Sequence, residues 1–187
     1  ESESRGLGDV YKRQALDLLS QAEHDESAQS ILITTSQKLA DLVEKEIEKI
    51  LLSLGRRDIA GPSWNNFGTI ITVPSLEVAA DLSNKIAPEH LELCVAKPKE
   101  LLKKISNAGA VFMGYWTPEA VGDYIGGSNH VLPTARSARF SSGLSVMDFI
   151  KRTTTTFVSQ EALRSIGPSI ETLAACEGLE AHGLSCL

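Results

Sequence analysis

The sequence predicts an α/β domain, a mainly parallel sheet with helices on both faces, followed by a small C-terminal helical appendage. Three observations predict it. Short β-branched apolar runs alternate with stretches of helical period, the rhythm of strand–helix–strand crossovers. The 187 residues suffice for one core and a small extension, and a hydrophobic fraction of 42% supplies that core without disulfide staples. Beyond residue 144 the alternation stops and helical text takes over.

Residues 1–14, ESESRGLGDVYKRQ, mix charges with glycines and carry no amphipathic period, so they read as a non-cognate or disordered leader outside the core. From Ala15, the residues Leu16, Leu18, Leu19 and Ala22 trace a helical face, and SILITT at 30–35 is a buried strand. Ser36 caps a helix whose stripe runs Leu39, Val43, Ile47, Ile50 or Leu51, and Leu54, ending at Gly55. The glycine, proline and asparagine of GRRDIAGPSWNNFG predict a loop delivering the chain to a second strand, TIITV at 69–73. Pro74-Ser75 opens a helix to Ile86 that Pro88 breaks; LELCV at 91–95 is a third strand, 98–105 a short helix, and AVFM at 110–113 a fourth strand. Thr117-Pro118-Glu119 starts another short helix, which runs into the glycine-rich GDYIGGSNHVLP. The α/β domain is thus 15–144, a Rossmann-like arrangement. The appendage is 145–187: a β-prone threonine run, Thr153 to Thr156, then two helices joined at Gly167-Pro168.

Composition excludes several classes of function. Lys+Arg total 18 against Asp+Glu 24, a net charge of -6, which leaves no electrostatic footprint for a phosphate backbone and disfavours nucleic acid. Apolar runs are only a few residues long, against about 20 for a membrane span, and no apolar h-region opens the chain, so no membrane is expected. Three cysteines, Cys94, Cys176 and Cys186, have neither disulfide-framework nor zinc-knot spacing, which suits a reducing cytoplasm. No strand is followed by GxGxxG, and no Gly-Lys-Ser/Thr phosphate loop occurs.

Several polar constellations remain. Gln21 and His24, three apart at a helix end, project from one face as a candidate ligand pair or as a solvated terminus. Pro88-Glu89-His90 lies between helix and strand and offers a carboxylate beside an imidazole, either an acid/base pair or a polar turn. Asp123 and His130 flank glycines that let backbone approach a ligand, or simply make a turn. Ile170, Leu173, Ala174 and Glu177 share one helical face, so Glu177 puts a carboxylate on an apolar stripe that needs a cationic or hydrogen-bonding partner if buried. His182 follows near the chain end. Together Gln21, His24, Asp123 and His182 supply two imidazoles, one carboxylate and one amide oxygen, an N/O donor set suited to zinc or a related divalent metal. Spacing alone does not bring them together.

The strings DLLSQAEHD, IAPEHLEL, SNAGAVFMGYWTPEAVGDYIGGSNHVLPT and IETLAACEGLEAHG, in this order, resemble the C-terminal half of the histidinol dehydrogenases, over residues 15–185. The resemblance implies a zinc- and NAD-dependent enzyme of histidine biosynthesis that oxidises the small-molecule substrate L-histidinol through histidinal to L-histidine. It implies Gln21, His24, Asp123 and His182 as zinc ligands and Glu89 and His90 as the catalytic pair. By the same resemblance Gln21, His24, His90, Asp123, Glu177 and His182 contact substrate, and His130 lends support nearby. A homodimer with shared active sites is implied, with the appendage 145–187 packing on the partner subunit. Family members are more than twice this length, so the chain reads as a fragment whose NAD-binding residues lie upstream, whose sheet is incomplete and which is inactive alone. Residues 1–14 and Cys186-Leu187 depart from the family pattern and read as truncation or assembly artefacts. The alternative is a non-catalytic metal-binding or oligomerisation module derived from that family.

Overall fold

Helix α1 (Ser2–Ala22) opens the computed structural model, which describes residues 2–186. Its core-facing residues Ala15, Leu19 and Ala22, at i, i+4 and i+7, are fully buried against Val43 and Ile47 of α2 (Gln37–Leu51) and Ala60 of α3 (Arg57–Phe67). The helix begins well upstream of Ala15: Tyr11 packs on the same cluster, and Gln14 is buried. Tyr11, Gln14 and Ala15 are spaced i, i+3 and i+4, a period that the charges and glycines of the predicted leader conceal. Residues 1 and 187, the outer ends of the predicted leader and appendage, lie outside the described residues.

The first predicted strands are observed as β1 (Ile31–Thr34) and β2 (Thr69–Thr72), paired in parallel with Ile31 opposite Thr69. Ser36 caps α2, its Oγ accepting the Leu39 N–H at 3.2 Å, and α2 buries Ala40, Val43 and Ile47. Ser36→Ala is expected to lower stability by about 1 kcal/mol. An unchanged urea midpoint would show that this cap contributes nothing.

The expected loop between β1 and β2 is instead largely helical. α3 forms there because Ala60, Ser63 and Trp64 share one face: Ala60 and Ser63 are buried, and the Ser63 hydroxyl donates to the Ala28 carbonyl at 2.8 Å. Burial of that face outweighs the helix-breaking tendency of Gly61 and Pro62.

Helix α4 (Leu76–Ile86), capped by Ser75, stops at Ala87 in a left-handed conformation with φ 52°. β3 (His90–Leu93) pairs in parallel with β4 (Ala110–Met113), His90 opposite Ala110, with α5 (Pro98–Leu102) as the crossover. Leu93 is buried with Ala80 and Leu101 in a second cluster against which Leu91 and Val111 pack. The parallel pairing follows the expectation, while the strands form two two-stranded sheets, β1–β2 and β3–β4, rather than one. α6 (Glu119–Tyr124) follows β4.

The chain divides into two compact units, with the boundary between Asp148 and Phe149. In the second, Thr153 to Thr156 are exposed and form no strand, and the two helices expected on either side of Pro168 are one, α7 (Gln160–Glu177). α8 (Glu180–Leu184) folds back on α7, and Gly167, Ala174 and Gly183 are buried in this unit. That packing carries α7 through the proline, whose missing N–H leaves one helical hydrogen bond unmade.

Candidate active site

His90 is the first residue of β3, and the backbone just before it is pinned on two sides. Ala87 ends α4, while the Gly109 and Ala110 N–H groups donate to the Pro88 and Glu89 carbonyls at 3.0 and 2.8 Å. A Cβ at Gly109 would come within 2.6 Å of the Glu89 carbonyl oxygen, so only glycine admits this approach. Glu89 and His90 therefore have fixed backbone positions at the start of a strand. The usual crevice of parallel sheets lies at the carboxyl ends, whereas this pair stands between α4 and β3, as the sequence reading placed it.

α6 brings a second set of groups to His90. Asp123 and Glu119 lie one turn apart on this helix, and the Oε1 of Glu119 is 3.7 Å from the Nε2 of His90. Asp123 accepts a 2.6 Å contact from Nδ1 of His130. The His90 and His130 rings lie 6.2 Å apart, tilted by only 24°, and Phe112 packs on the His90 ring at 6.0 Å. The His90 side chain is 16% exposed and that of His130 58%, so the cluster has a buried floor and an open rim.

The electrostatics follow from this burial. Burial lowers the His90 pKa, against the upward pull of the Glu89 and Asp123 carboxylates and with smaller downward pushes from His130 and His24. Burial also raises the Glu119 pKa to about 7, helped by its hydrogen bond to Asp123 and the Asp123 charge. The result is a neutral imidazole beside a carboxyl that keeps its proton until near neutrality. His90 Nε2 is buried and has no hydrogen-bond partner among the described residues, an arrangement that disfavours folding unless something else uses the atom.

Among the predicted site residues, the structure brings together His90, Asp123 and His130, with Glu89 half-buried at the next backbone position. His24, exposed at the end of α1, is near enough for its charge to act on His90. Gln21 is half-buried on the last turn of α1. Glu177 on α7 and His182 on α8 are exposed and belong to the second unit. Ligating atoms of His90, Asp123 and His130 all lie within 4.8 Å of one another, two imidazoles and a carboxylate of the kind that hold zinc. Of the predicted zinc set, Asp123 alone belongs to this trio.

Glu119 is the functional neighbour that sequence reasoning missed, having been taken only as an acid in the first turn of a helix. Its signal was present, since it precedes Asp123 by four residues and so shares its face. Phe112 was assigned to a strand with no role at the site.

An α/β unit whose buried imidazole meets two carboxyls and a second imidazole has the makings of an acid/base site with a candidate metal centre. The sequence pattern of histidinol dehydrogenase matches residues 11–187. Over 171 residues the chain is 63% identical to the histidinol dehydrogenase of Cereibacter sphaeroides and 64% identical to that of Ruegeria pomeroyi, covering 91% of this chain and 39% and 40% of those proteins. The crystal structure of histidinol dehydrogenase from Elizabethkingia anophelis superposes with a TM-score of 0.87 at 39% identity, over 94% of this chain and 40% of that one. The chain belongs to the histidinol dehydrogenase family. It spans about two fifths of the length of the curated relatives it matches.

Proposed function

We propose that this chain forms the metal-binding and acid/base part of a zinc-dependent, NAD-linked histidinol dehydrogenase, which carries L-histidinol through histidinal to L-histidine in histidine biosynthesis. The observation that carries this reading is the buried, unpartnered Nε2 of His90 among Asp123, His130 and Glu119, where a substrate hydroxyl can supply the missing partner. The donor types fit zinc. Gln21, His24, Asp123 and His182 would hold the ion, and Asp123 stands in the imidazole–carboxylate cluster itself. When bound, zinc supplies a Lewis-acidic anchor for nitrogen and oxygen ligands, and NAD supplies the hydride acceptor.

The chain's own residues then divide the work. His90, held neutral by burial, takes the hydroxyl proton as hydride leaves the carbinol carbon. Glu89, fixed at the adjacent backbone position, removes a proton from the water that attacks the aldehyde while His90 returns its proton to the aldehyde oxygen; neutral again, His90 takes a hydroxyl proton of the hydrate as the second hydride leaves. Asp123 fixes the orientation of His130 through their 2.6 Å contact. Glu177 binds substrate. In this reading Glu177 and His182 reach the site from a second copy of the chain, since Glu177 and Leu173 stand exposed on α7.

Zinc binding tests the reading directly. Dialysis against buffered zinc followed by metal analysis is expected to give one zinc per chain. Asp123→Asn should weaken binding by more than the about 10–100-fold that loss of a ligand-orienting partner costs, whereas Asp81→Asn, at an exposed position on α4, should leave it unchanged. Sedimentation with zinc should give a dimer. Equal affinity in the Asp123 variant would remove Asp123 from the metal, and a monomer that binds zinc as tightly would remove His182 and Glu177 of a second copy from the site.

A further inference from the structure

Behind the site lie two carboxyl groups to which the proposed chemistry gives no part. Glu92 stands two residues after His90, on the same face of β3. Its Oε1 accepts the Glu119 N–H at 2.9 Å, so a side chain from the strand satisfies the first turn of α6, which has no capping side chain of its own. Its Oε2 accepts a 3.6 Å contact from the Cys94 thiol. Asp17 of α1 stands beside Glu92, each carboxyl acting on the other's titration, and the Arg13 charge on the same helix pulls Asp17 down. Burial followed by the Asp17 charge raises Glu92 to about 7, and burial also raises Asp17. Both side chains line a cavity with Arg13, Cys94, Trp116 and Thr117.

The position of this pair in the chain gives it meaning. Asp17 is one helical turn before Gln21 and two before His24; Glu92 is two residues from His90; Glu119 is one turn before Asp123. We propose that Asp17 and Glu92 are positioning residues, a carboxyl pair that ties α1, β3 and α6 together one step behind the site and so sets the relative placement of Gln21 and His24, of Glu89 and His90, and of Asp123. The inference rests on the zinc-site reading above for its effect on metal binding. The tie itself stands on the Glu92–Glu119 hydrogen bond and on the cavity that Asp17 and Glu92 line together.

The test uses Glu92→Leu, which removes the bond to Glu119 and the polar contact with Asp17; Glu92→Gln, whose amide oxygen can still accept from Glu119; and the milder Glu92→Asp, one methylene shorter. Two quantities are measured on the full chain: zinc affinity by competition with a chromophoric chelator, and hydrogen exchange at the Glu119 amide. Glu92→Leu should weaken zinc by about 10–100-fold and speed Glu119 exchange at least about tenfold, the loss of a hydrogen bond to a charged group. Glu92→Asp should shift both in the same direction, and Glu92→Gln should restore both. If Glu92→Leu does not fold, the Asp and Gln variants decide. Unchanged Glu119 exchange in the Leu or Asp variant overturns the tie; faster exchange with unchanged zinc affinity overturns the positioning role. A wild-type chain that binds no zinc defeats the functional reading instead, and the tie is then judged by Glu119 exchange alone.

Discussion

His90→Asn is expected to slow histidinol oxidation by about 10²–10⁴-fold, the usual contribution of a general base. The assay uses this chain completed with the upstream portion of a relative, followed by NADH absorbance. The size of the effect follows from the environment of the ring. His90 is partly buried, its buried Nε2 has no hydrogen-bond partner among the described residues, and burial keeps the ring in the proton-accepting form. Asparagine keeps polarity and a similar reach but cannot take up a proton. The loss should therefore appear in turnover, in both oxidations, while zinc content stays at the wild-type level because His90 is not among the proposed ligands. Loss of zinc in this variant would place His90 on the metal, as its proximity to Asp123 and His130 permits, and would end its assignment as the base.

Glu89→Gln should separate the two oxidations. Water must be activated only after the first hydride has left, so single turnover from histidinol to histidinal should be nearly normal. Single turnover starting from histidinal should fall by an amount in the same about 10²–10⁴-fold range. The substitution is isosteric, and the backbone of residue 89 is held by Gly109 and Ala110 rather than by its own side chain, so the fold has no reason to change. Equal impairment of both steps would make Glu89 a structural or electrostatic neighbour of His90.

The strands were legible because each is a short apolar run between helical stretches, β-branched in β1 and β2, and α2 because its stripe repeats cleanly. α3 was not, since Gly61, Pro62, Asn65 and Asn66 mask the spacing of Ala60, Ser63 and Trp64, and only burial against α1 and α2 decides the matter. The break expected at Pro168 failed for a similar reason, because packing between α7 and α8 overrides a local preference. At the site, His90, Asp123 and His130 were readable as residue types in polar, glycine-bearing loops, but their proximity was not. It depends on α6 returning from the end of β4 to the start of β3. The Asp17–Glu92 pair was invisible for a stronger reason: two acids far apart in sequence look like solvated surface until the fold buries them together.

The alternation along β3 also protects the protein from misfolding. His90 and Glu92 occupy one face of the strand, while Leu91 and Leu93 enter the apolar cluster on the other. A slip of one residue against β4 would exchange the faces and drive an imidazole and a carboxyl into the contacts now made by two leucines. Burying such groups without partners costs several kcal/mol, comparable with the total stability of a modest domain. The proposed base and the carboxyl behind it thus also act against the wrong strand alignment, so replacing both with apolar residues would remove, along with the site, the penalty on a shifted sheet.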